Sequence, residues 1–316
     1  MDLFDLHCDT AFECETKLGG VDIRQGAGHL SLERGGYLNH WRQVFAVFMP
    51  DEYRGEAAIA HYERVRDYVD RQQFLFPDRF RIVRNAEEFG EVRPGCSAIL
   101  SVEGGSALAG QIGRVRQLYD DGVRLMTLTW NDSNELGDGI RAEGGKGLTP
   151  FGKAVVKEMN RLHMAVDVSH LSDAGFYDVA DISEAPFVAS HSNARKVCGN
   201  LRNLTDEMID VIRERGGLIG LNFFREFLRD DGDAHMTDIL RHAEYLLSRG
   251  CASCLCLGSD FDGCEIPEDM TGVESMSDLY DAFLRENYSE NLVRDLFYYN
   301  ADRYFAKYIY EDGWKT

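Results

Sequence analysis

The chain has 316 residues, 44% of them hydrophobic, enough to build one large buried core and too apolar for a disordered polymer. Its 54 acidic residues against 34 basic ones give a formal charge of −20, which repels polyanions and argues against nucleic acid as a partner. No run of about 18 apolar residues occurs, and the opening MDLFDLHCDT has neither the basic nor the apolar region of a secretory leader, so no membrane association and a cytoplasmic location are expected.

In chain order, short β-rich runs are predicted at 3–9 (LFDLHCD), 42–49 (RQVFAVFM), 97–103 (SAILSVE), 123–130 (VRLMTLTW), 164–170 (MAVDVSH), 186–192 (PFVASHS), 217–223 (GLIGLNF) and 254–261 (CLCLGSDF). Most are separated by segments with apolar residues at three- and four-residue spacing, such as EAAIAHYERVRDYVDRQ after the second and FGKAVVKEMNRLH before the fifth. The strand runs are continuously apolar, as expected of parallel strands buried on both faces. Eight such βα units predict a (β/α)₈ TIM barrel, a single domain over residues 1–316 closed by C-terminal helices, with an open doubly wound sheet as the structural competitor. The eight cysteines lack the density of a disulfide framework and are read as reduced, with Cys251, Cys254 and Cys256 as small buried side chains.

Metal-type residues gather at the C-terminal ends of the predicted strands, where this barrel builds its active sites. Strand alternation turns His7 and Asp9 to one face and Cys8 to the other. The third run ends in Glu103, followed by two glycines. The fifth and sixth end in His170 and His191, and the eighth in Asp260. Each alone is as well read as a turn, cap or core residue. Barrel closure would bring all six into one ring, and imidazole plus carboxylate is a donor set that zinc accepts. The other histidines lie outside strand ends and carry no such signal.

Taken in order, DLHCDT, SVEGG (101–105), GLTPFGKAVVKEMNRLHMAVDVSH (147–170), PFVASHSNARKVCGNLRNLTDEM (186–208) and GSDFDG (258–263) resemble the membrane (renal) dipeptidase family of the amidohydrolase superfamily. That resemblance implies two zinc ions, one held by His7 and Asp9, the other by His170 and His191, with Glu103 bridging them. It makes Asp260 the catalytic acid–base, acting on a hydroxide that bridges the metals, and Arg202 the receptor of a dipeptide's terminal carboxylate. The loop after the fourth run, with Trp130 and Asn131, and Phe227 would contact the substrate. Trp130 stands where the family's mammalian members have a histidine, and Phe227 where they have a tyrosine. A homodimer is also implied. Two other readings stay open. One is a different two-metal amidohydrolase acting on N-acyl amino acids or lactones, disfavoured because VRLMTLTW offers no bridging lysine. The other is a non-catalytic barrel that only binds.

Overall fold

The computed structural model describes residues 1–26 and 28–311; residues 312–316, included in the predicted domain, lie outside the described residues. Nine parallel strands are present among the described residues: β1 (Leu3–Cys8), β2 (Trp41–Phe48), β3 (Phe80–Ile82), β4 (Cys96–Glu103), β5 (Val123–Thr127), β6 (Ala165–Asp167), β7 (Val188–Ala189), β8 (Leu218–Leu221) and β9 (Leu255–Leu257). Eight of them close into a barrel in the order β1-β2-β4-β5-β6-β7-β8-β9, because β2 pairs with β4 along its whole length and β9 pairs back onto β1. Closure rules out the open sheet. The ninth strand, β3, has no counterpart in the sequence reading. It is three residues long and takes the edge of β4 at Cys96–Ala98, leaving Leu100–Glu103 to β5.

The strands carrying the predicted site are shorter than the apolar runs suggest: β6 ends at Asp167 and β7 at Ala189. His170 and His191 therefore stand on the loops just past the strand ends, although still on the C-terminal rim. Three helices that follow the site loops start on side-chain caps. Thr149 accepts from Gly152 N at 3.0 Å with Pro150 in the first turn, Ser172 accepts from Gly175 N at 3.1 Å, and Thr205 accepts from Met208 N at 3.3 Å.

Two apolar layers hold the barrel. Between strands and helices lies a continuous layer that includes Leu3, Cys8, Val47, Val65, Val155, Phe176, Ile209 and Leu246. Inside the barrel lie Phe4, Leu6, Val44, Ile99, Leu125, Ala165, Val188, Leu218 and Cys256, packed against Tyr298, Tyr304, Phe305 and Ile309 of the C-terminal helical run. Phe4 and Phe305 have ring centroids 5.0 Å apart. The C-terminal helices thus plug the N-terminal mouth, and only the C-terminal mouth is left for a site. Among the described residues no helix is long and apolar enough to cross a membrane.

Candidate active site and metal centre

On β1, Phe4 and Leu6 point into the barrel while Leu3 and Cys8 belong to the outer layer. Unbroken alternation would turn His7 outward with Leu3. A register shift between Asp5 and Cys8, where β1 advances three residues and β2 only two, absorbs one residue and turns His7 inward beside Asp9. Such bulges re-aim side chains next to active sites. The expectation that His7 and Asp9 share a face is met, but through the bulge. His170, Asp260 and Asp262 each adopt positive φ (66°, 62° and 67°), a conformation that costs a non-glycine residue on the order of 1–3 kcal/mol and that concentrates at functional sites.

The six side chains expected at the rim converge. His7 Nε2 lies 3.3 Å from Asp9 Oδ2, 3.6 Å from Glu103 Oε2 and 3.9 Å from Asp260 Oδ1. Glu103 Oε1 lies 2.9 Å from His170 Nε2 and 3.5 Å from His191 Nε2. Its two oxygens are thus turned to different histidine sets. His7, Glu103 and His191 offer donor atoms all within 4.8 Å of one another, and so do His7, Asp9 and Asp260.

Hydrogen bonds behind the histidines decide what their Nε2 atoms can do. Ser190 Oγ donates to Asp167 Oδ2 at 2.6 Å, so it accepts from His191 Nδ1 at 2.7 Å. Asn131 Oδ1 accepts from His170 Nδ1 at 3.0 Å. In the neutral rings both Nε2 atoms then carry lone pairs, and these face each other across 2.9 Å. Two acceptors at that separation repel unless a cation lies within reach of both. Asp9 Oδ1 is likewise buried with no hydrogen-bond donor among the described residues.

The charges argue the same way. Burial opposes a charge on His7, yet Glu103, Asp9 and Asp260 push its imidazole up to about 10. Burial, reinforced by Asp9, raises Glu103 well above the usual carboxylate range, and burial raises Asp260 to about 6. Burial, with Arg202 and His7 nearby, holds His170 and His191 well below an ordinary histidine. Glu103 and Asp260, which resist ionising, and two histidines that resist protonation form an environment suited to divalent metal. The residues present therefore fit a metal centre, as the donor set suggested.

The cluster opens into a cavity of about 370 Å³, within the range of small-molecule sites. Trp130, Asn131 and Phe227, expected at the substrate, all lie on its wall, together with Phe12, Phe48 and Phe224. Asn131 also orients His170. Arg202 is not on that wall. It is buried one layer deeper, with Nη1 donating to Ser192 Oγ and Nη2 to His191 O, both at 3.3 Å, and its guanidinium 5.2 Å from the centre of the Phe227 ring.

Several residues that position the site escaped sequence reasoning. Asp167 accepts from Thr127 Oγ1, Ser190 Oγ, and the N–H groups of Ser169 and Ser190. Asn222 donates to Asp260 Oδ2 at 3.0 Å, and Asp5 accepts from Ser259 and Gln43 behind β1 and β9. Gly263 packs so tightly that a Cβ there would overlap Asp9 Oδ2 and Asp260 Oδ1. The polar Asp167 and Asn222 inside apolar runs were the available signal.

Comparison with known proteins agrees with this geometry. The family model described as membrane dipeptidase (peptidase family M19) matches residues 1–308. An uncharacterized protein in the pqqA 5′ region of Klebsiella pneumoniae is 33% identical over 234 residues, covering 70% of this chain and 86% of its own. A crystal structure of the dipeptidase AC, a metallopeptidase of family M19, superposes with a TM-score of 0.89 at 30% identity, over 98% of this chain and 99% of that one. A metallopeptidase from Rhodobacter sphaeroides liganded with a phosphinate mimic of the dipeptide L-Ala-D-Ala also gives 0.89, at 28% identity and the same coverage. The chain belongs to the membrane dipeptidase family and is a metallo-dipeptidase built on a TIM barrel.

Proposed function

We propose that this chain hydrolyses the peptide bond of dipeptides at a centre of two zinc ions, His7 and Asp9 holding one, His170 and His191 the other, with Glu103 spanning both. The observation that carries this reading is the division of Glu103, Oε2 toward His7 and Oε1 toward His170 and His191. Ions bound there would supply an acidified water as nucleophile and a Lewis acid for the carbonyl. The phosphinate carried by the Rhodobacter sphaeroides relative, a tetrahedral mimic of a dipeptide, supports the same chemistry here.

The protein's side chains do the rest. Asp260 takes the proton from the attacking water and returns it to the leaving amine, a task suited to a carboxyl raised to about 6. Asn222 holds its Oδ2, which leaves Oδ1 for the proton. Arg202 receives the substrate's terminal carboxylate. Its two hydrogen bonds are long and its buried Nε has no acceptor among the described residues, so an anion is what this guanidinium lacks. Trp130 and Phe227 enclose the short substrate, the indole offering one donor and no proton relay. The eight free cysteines accord with a cytoplasmic location.

The test is a zinc-loaded screen of L,L and L,D dipeptides beside N-acyl amino acids and lactones. Dipeptide turnover is expected, and Asp260→Asn should retain zinc while losing a factor on the order of 10² or more in kcat. Turnover confined to lactones or N-acyl amino acids would overturn the substrate; near-normal Asp260→Asn activity would overturn the proton path.

A further inference from the structure

The cavity wall carries more charge than the metal centre explains. Asp9, Glu103 and Asp260 belong to that centre. Asp262 is occupied by Thr10 Oγ1 at 2.5 Å and by the backbone N–H of His29. Of the two basic side chains on the wall, Lys17 is paired with Glu13 at 2.8 Å. The other is Arg141, whose side chain has no ion pair or hydrogen bond among the described residues. In a chain of net charge −20 surface arginines readily find carboxylates, so an unpaired one facing a substrate cavity calls for a ligand.

Its placement is also fixed. Arg141 N donates to Asn131 O at 2.9 Å, and Ile140 N donates to His170 O at 2.7 Å. The same loop therefore presents Asn131 to His170 Nδ1 and Arg141 to the cavity, with its backbone anchored on both. Arg141 is close enough to His170 and to Arg202 to disfavour their charged forms, which puts it on their side of the site. The same wall carries Phe48, Trp130 and Phe227, a surface suited to the methylenes of a side chain and not to its charge.

We infer that Arg141 is a specificity residue that receives a second carboxylate, that of an acidic side chain on the C-terminal residue, so that dipeptides ending in glutamate or aspartate are the preferred substrates. This rests on the dipeptidase reading above, with Arg202 on the main-chain carboxylate. An exposed arginine–carboxylate contact discriminates by about tenfold against the uncharged isostere, the low end for a charge-assisted hydrogen bond.

The experiment compares kcat/KM for Ala-Glu and Ala-Gln, with Glu-Ala and Gln-Ala as the reversed pair, in the zinc-loaded wild type, Arg141→Met and Arg141→Lys. Wild type should favour Ala-Glu over Ala-Gln by about tenfold, with no comparable preference in the reversed pair, and the preference should shrink as ionic strength rises. Arg141→Met should lower Ala-Glu about tenfold more than Ala-Gln, and Arg141→Lys should keep part of the difference. A wild-type ratio near one, a preference residing in the reversed pair, or an equal loss on both substrates in Arg141→Met would each overturn the inference. The wild-type ratio and its salt dependence decide even if a variant folds poorly. Failure to cleave any of the four dipeptides would instead strike the dipeptidase reading itself.

Discussion

Replacing Ser190 by alanine removes one hydroxyl and no packing volume of consequence, yet it should loosen the metal centre. In the intact protein that hydroxyl accepts from His191 Nδ1 at 2.7 Å and donates to Asp167 Oδ2 at 2.6 Å. Asp167 loses little, because Thr127 and two backbone N–H groups still hold it. His191 loses its only Nδ1 partner among the described residues, in a fully buried position. A buried donor left unpaired costs about 1–3 kcal/mol, and the ring is freed to take the other tautomer, which would put a proton on the nitrogen that faces His170. Groups in this role typically account for about 10- to 100-fold in metal affinity, or about 1.4–2.8 kcal/mol at 1.4 kcal/mol per decade. The assay is zinc titration of the metal-free protein in competition with a chromophoric chelator. Ser192→Ala serves as comparison, since Ser192 Oγ meets Ser169 and Arg202 but no histidine. Weakened binding of at least one ion in Ser190→Ala, and not in Ser192→Ala, is expected. Equal affinities in wild type and Ser190→Ala would refute the argument that this hydroxyl fixes His191.

Two further expectations concern packing and protonation. Gly263→Ala should depress both metal content and dipeptide turnover, because its Cβ would occupy the space of the Asp9 and Asp260 carboxylate oxygens; wild-type metal content in the folded variant would show that the loop simply moves aside. His242 is buried with Nδ1 accepting from Ala194 N and Nε2 donating to Leu228 O, and burial depresses it from 6.5 to about 4. A depressed folded value means the unfolded chain takes up the proton first as pH falls. Stability is therefore full above about 6.5 and declines toward 4, by about 3 kcal/mol from this group at 1.36 kcal/mol per unit. Urea unfolding of wild type and His242→Gln at both ends of that window should show the gap between them shifting against wild type at low pH; a constant gap would contradict it.

What was legible in the sequence followed from local pattern, and what was not depended on contacts between strands. The eight barrel strands stand out as apolar runs, and the metal-type residues stand out because polar side chains end those runs. Strand β3, three residues long, carries too little pattern to detect, and β6 and β7 end early because the chain must turn sharply to present His170 and His191. The orientation of His7 is set by the bulge opposite β2, which no periodicity in LFDLHCD reveals. Arg202 was named for its role, but its burial beneath Phe227 depends on tertiary packing. Arg141 lies in a polar loop, where an arginine ordinarily reads as surface. Asp167, Ser190 and Asn222 act on other side chains across strands, and their value appears only when β6, β7, β8 and β9 are adjacent.

The central claim is that His7, Asp9, Glu103, His170 and His191 form one cradle in which Glu103 serves two ions at once. Metal analysis of the purified wild type beside Glu103→Ala, repeated after mild chelation and zinc reloading, addresses it directly. The account predicts about two ions per wild-type chain and a loss of metal in Glu103→Ala that reloading does not restore. About one ion or fewer per reloaded wild-type chain, or undiminished content in Glu103→Ala, would contradict it.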